Sequence, residues 1–70
     1  MSTGQARALA TLRRKDHYLV WRREHEGDHR WVIEDADEKV VLVVPAAIAT
    51  HLIGDHLVEQ HIYGKDVYEL

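Results

Sequence analysis

Seventy residues, 46% of them hydrophobic and 30% charged, with one proline and no cysteine, describe one small globular domain and exclude a disordered chain, a disulfide framework and thiolate metal sites. A domain of this size buries only ~60% of its unfolded surface, which leaves little volume for a substrate cavity and makes a stabilising partner useful. The net charge of −3 is unevenly spread: residues 1–33 hold seven basic and four acidic side chains, giving +3, and residues 34–70 hold two basic and eight acidic, giving −6, a polarity that can orient a partner.

Thr3 to Lys15 is expected to form a first helix. Ser2 and Gln5 have the spacing of a capping box, and Ala6, Leu9, Ala10 and Leu12 supply a thin apolar stripe that predicts loose docking. Arg7, Arg13, Arg14 and Lys15 fall in this stretch without an acid, a pattern shared with transit peptides, although an ordinary helix accounts for it.

The pattern changes at His17 to β-branched and aromatic residues. A strand to Glu24, a turn at Glu26, Gly27 and Asp28, and a returning strand "HRWVIED" predict a hairpin. A three-residue loop sets His25 opposite His29, Arg23 opposite Trp31 and Trp21 opposite Ile33, so that Leu19, Trp21, Trp31 and Ile33 share a face. Arg23 then covers the edge of Trp31. The polar "DADE" leads to a third strand, "KVVLVV", whose Val40, Leu42 and Val44 continue that face.

Pro45 suits the start of a second helix running toward Gly64, with a kink or break at Gly54 and Asp55. "KDVYEL" offers a short last strand. The expected class is therefore α+β, one domain over residues 1–70, in the order α-β-β-β-α on a three-stranded antiparallel sheet.

The face opposite the tryptophans should be polar if water covers it. Instead it carries Tyr18, Val20, Val32, Val41 and Val43. Either each helix covers one face, or both share a face and the other is left for a protein partner or a second copy. Tyr18, Val20, Val32, Val41 and Val43 are the expected protein-binding residues, with the acidic Glu34, Asp35, Asp37 and Glu38 as an electrostatic guide.

Catalytic equipment is sparse: no cysteine, Ser2 as the single serine, no glycine-rich phosphate loop and no H-E-x-x-H motif. His25 and His29 with a neighbouring carboxylate form a weak zinc candidate, but His17 is eight residues from His25, ~26 Å along a strand, and cannot complete it. His51 and Asp55 share a helix face, and His56 is expected half-buried beside Leu52, Ile53 and Leu57. No metal or cofactor is expected. Protonation of the six histidines would take the formal charge from −3 to +3, so charge-dependent contacts should respond between pH 5 and 8.

Nucleic acid is the alternative partner, through Arg13, Arg14, Lys15, Arg22 and Arg30. The element order resembles that of double-stranded RNA-binding domains, and "EGDHRWVIE" is similar to their glycine- and histidine-containing turn before the second strand. That resemblance implies phosphate contacts from lysines at the start of the second helix, where this chain has Pro45, Ala46 and Ala47. The order is also similar to DNA-binding domains built from a three-stranded sheet and a helix. The expected function is a non-enzymatic protein-binding module, a homodimer, adaptor, or regulator or phage-type inhibitor of a larger assembly. With no apolar run long enough to span a bilayer, it is expected in the cytoplasm.

Overall fold

The computed structural model describes residues 3–23, 27–61, 64 and 66–70. The chain runs α1 (Thr3–Leu12), β1 (Tyr18–Arg23), β2 (His29–Glu34), β3 (Val40–Val44), α2 (Ala46–Gly54), β4 (Glu59–Gln60) and β5 (Val67–Glu69). The α+β class and the α-β-β-β-α order are as expected. The sheet, however, has five strands in the order β3-β2-β1-β5-β4, with every neighbouring pair antiparallel. β1, β2 and β3 form a meander. α2 then carries the chain to the far edge, where β4 forms, and β5 returns between β4 and β1.

The hairpin register differs from expectation by two residues. Trp21 pairs with Trp31, Leu19 with Ile33 and Arg23 with His29. The connection is therefore residues 24–28, longer than a three-residue loop. A slip of two keeps every side chain on its own face, so alternation alone could not detect it. Of the expected turn, Glu26 lies outside the described residues, as does His25; Gly27 takes a left-handed φ of 86° that suits glycine.

Both helices pack on one face of the sheet. The core joins Ala8, Leu9 and Leu12 of α1, Ala49 and Leu52 of α2, Leu19, Ile33 and Val44 of the sheet, and Val58. Of the stripe expected on α1, Leu9 and Leu12 are buried at 6% and 4% exposure, whereas Ala6 and Ala10 are exposed and Ala8, at 1%, joins the core instead. Ser2, expected to cap α1, lies outside the described residues, and α1 stops at Leu12 rather than Lys15.

Pro45 precedes α2 with φ −57°, and its carbonyl accepts from the N–H groups of Ile48 and Ala49, each at 3.0 Å. The helix ends at Gly54, at the break anticipated there, and does not reach Gly64. His56 N–H donates to Ile53 O at 3.1 Å and Leu57 N–H to Leu52 O at 2.9 Å, with His56 at φ 57°. This is a Schellman ending with histidine where glycine is usual. His56 is consequently exposed, correcting its expected half-burial, and Leu57 turns inward against the core.

Candidate protein-contact surface

Because Leu19 and Ile33 point to the helices, their neighbours Tyr18, Val20, Val32 and Glu34 occupy the outer face, together with Arg22 and Arg30. Val43 joins them opposite Val32, and Val67 opposite Val20. Neither α1 nor α2 covers this face, but most of it is closed by its own side chains. Val32 is 0% exposed, and Tyr18 and Val20 are half-buried.

Two devices close it. Arg22 belongs to the row of Arg30 and Glu34 to the row of Tyr18, with Val20 and Val32 between. Arg22 Nη1 nevertheless donates to Glu34 Oε2 at 2.9 Å, so the ion pair spans the valine row. At the β5 side, His61 sets its ring edge-on to Tyr18 with centroids 5.3 Å apart, and its Nε2 lies 3.7 Å from Glu69 Oε2. Gly64 then passes over Val67: a Cβ at residue 64 would stand 2.8 Å from Val67 Cγ2.

The open part lies at β3. Val41 is 40% and Val43 48% exposed. Val40 does not continue the core face as expected, because a register shift after Ile33 brings it opposite Glu34, and it is 38% exposed. β3 is also an edge of the sheet. Its five residues contain no charge and no proline, whereas the other edge, β4, is two exposed polar residues, Glu59 and Gln60. Short polar edges resist pairing with other chains, and long apolar ones invite it.

Beside β3, a cavity of about 220 Å³ opens between the strand and the starts of both helices, lined by Gly4, Arg7, Leu42, Val43, Pro45 and Ile48 among others. The sequence placed Arg7 in the basic first helix but not among the binding residues. Its place in this groove depends on how α1 docks, which residue pattern alone does not reveal.

The acidic turn divides by role. Glu34 is engaged by Arg22, and Asp35 Oδ1 accepts from the backbone N–H of Asp37 at 2.9 Å and of Lys39 at 3.0 Å. Arg22 Nη1 also donates to Glu38 O at 3.2 Å. Two carboxylates therefore build the turn, and Asp37 and Glu38 remain exposed on it, at the entrance to β3.

The basic candidates fall on different sides. Arg22 and Arg30 are cross-strand partners on the outer face. Arg13, Arg14 and Lys15 are exposed after α1, which packs on the other face. The structure does not assemble them into one stripe.

Trp21 and Trp31 are half-buried on the helix side, with ring centroids 5.0 Å apart. Trp31 packs against the core and Tyr68; His29 stacks on Trp21 at 5.3 Å and 15°. Arg23 lies opposite His29, not opposite Trp31. Among the described residues no three histidine, cysteine or acidic side chains converge on a metal position. The zinc candidate includes His25, outside those residues. His51 Nδ1 and Asp55 Oδ2 stand 3.8 Å apart on an exposed helix surface.

Comparison with protein-family models, curated proteins and solved structures finds no match to this chain. Among the described residues no helix is long and apolar enough to cross a membrane.

Proposed function

We propose that the chain is a non-enzymatic, cytoplasmic protein-binding module whose contact surface is the apolar strip Val40, Val41 and Val43 with the acidic turn beside it. One observation carries this reading: the outer face closes itself over Val32 yet leaves Val41 and Val43 at 40% and 48% exposure on an edge strand. Apolar side chains left out of a core by a fold that covers their neighbours are available to a partner. Asp37 and Glu38 guide a basic surface toward the strip and influence the association rate more than the final affinity.

Lysine substitutions at Val41 and Val43 test the surface. Each should leave cooperative unfolding within about 0.5 kcal/mol of the parent, as exposed positions do, and should weaken association at least about tenfold. Loss of the folded state would place these valines in the core and end the proposal.

A second reading rests on the three consecutive exposed bases Arg13, Arg14 and Lys15. It assigns the helix end to nucleic acid, with Arg30 and Arg22 secondary. Titrating a labelled mixed-sequence duplex and single strand at two salt concentrations separates the two readings. Binding that vanishes as salt rises and is removed by Arg13→Ala with Arg14→Ala supports nucleic acid; indifference to both polymers leaves the protein surface.

A further inference from the structure

We infer that the partner of this strip is a second copy of the chain, joined through β3 in antiparallel register about a two-fold axis at Leu42. The inference rests on the protein-binding reading above and names its occupant.

The sequence of β3, "VVLVV", reads the same in both directions. An antiparallel two-fold places each residue opposite its mirror position, so Leu42 meets Leu42 of the other copy, Val41 meets Val43, and Val40 meets Val44. Like side chains then face like at the three central positions, Leu42 inward and Val41 with Val43 outward. Pairings that keep inward residues opposite inward ones shift by whole steps of two, and among them the axis at Leu42 alone overlaps all five residues. The shift opposite Glu34 disturbs the Val40 end, leaving the three central pairs regular.

Pairing about Leu42 also matches charge. Glu38 of one copy comes level with Ala46 of the other, at the groove where Arg7 lies beside Val43 and Pro45. Asp37 and Glu38, the acids not consumed in building their turn, thus approach Arg7 twice, once at each end of the seam. The same axis brings Val41 and Val43 of both copies into one four-valine patch on the outer face. β4 offers none of this: it is short, polar and exposed.

The result would be a ten-stranded sheet continuous across two chains, with backbone groups of the β3 edge paired and its valines packed side by side across the seam.

Sedimentation and light scattering on the full chain from micromolar to millimolar concentration, at low and high salt, test this. The expected result is a dimer that survives high salt. Val41→Lys and Val43→Lys should each weaken it at least about tenfold. Arg7→Glu should weaken it, and adding Glu38→Arg should restore it. Protection of β3 amides from hydrogen exchange should rise with protein concentration while that of β4 does not.

A dimer untouched by the lysine and Arg7→Glu substitutions forms through another surface and overturns the inference. A wild-type monomer at all concentrations, with folded lysine variants, overturns the second copy as partner while the protein-binding reading stands. Lysine variants that cannot fold overturn both.

Discussion

Arg22 and Glu34 are held together at 2.9 Å across the row of Val20 and Val32, and Val32 beneath them is completely buried although it faces away from both helices. The ion pair therefore serves chiefly as a cover. The Arg22 side chain is 40% exposed, so charge attraction itself adds little.

Arg22→Ala should cost about 1 kcal/mol, more than a surface ion pair alone, because it uncovers Val32 as well as freeing Glu34. Arg22→Met, which keeps an apolar stem, should recover part of that loss. Chemical denaturation of the two variants measures the difference, and equal destabilisation by both would show that the charge, not the cover, matters.

The two tryptophans should differ in consequence. Trp31 packs on the buried core, whereas Trp21 stacks on His29 and leans on Trp31. Trp31→Ala should cost up to ~3 kcal/mol, the low end of the range for buried aromatics because the ring is only half-buried; Trp21→Ala should cost less. Thermal unfolding followed by far-UV circular dichroism gives the order.

At His56 the backbone is left-handed, φ 57°. Relief of that strain, ~1–2 kcal/mol, outweighs the ~0.5–1 kcal/mol entropy cost of glycine. His56→Gly should thus stabilise the fold slightly, and His56→Val should destabilise it. A midpoint that falls in the glycine variant would mean the imidazole contributes a contact of its own.

Gly64→Ala should destabilise by ~1–3 kcal/mol, since its Cβ would meet a stiff, branched Val67 rather than a yielding chain end. Combining it with Val67→Ala should cost less than the sum of the two single changes. The double-mutant cycle is read from urea midpoints.

Much of the architecture was legible in local pattern. Alternation assigned Leu19, Trp21, Trp31 and Ile33 to one face, Pro45 marked the start of α2, and Gly54 marked a break in a helix expected to run on to Gly64. What was hidden depended on long-range placement. The hairpin slip of two leaves alternation intact. The end of α2 rests on histidine in a conformation where glycine is the usual signal. β4 has only Glu59 and Gln60, too few for any period.

The candidate surface was legible in the same measure. An apolar outer face could be read from Tyr18, Val20, Val32, Val41 and Val43, but not its division into covered and open parts. That division comes from the Arg22–Glu34 span and the fold-back of His61 and Gly64, which join residues distant in sequence. Likewise "KVVLVV" signals a buried strand, and only the sheet order shows that it stands at an edge.

The place of β5 sets a timetable. β1 lies between β2, made almost at once, and β5, which begins at Val67. On a growing chain the meander can close while Leu19 and Val20 still lack their second neighbour. Until residues near Tyr68 arrive, the nascent sheet has β1 as well as β3 unguarded. Contacts between segments so far apart along the chain slow closure, so the fold spends its last step with two open edges instead of the one that β3 keeps afterwards.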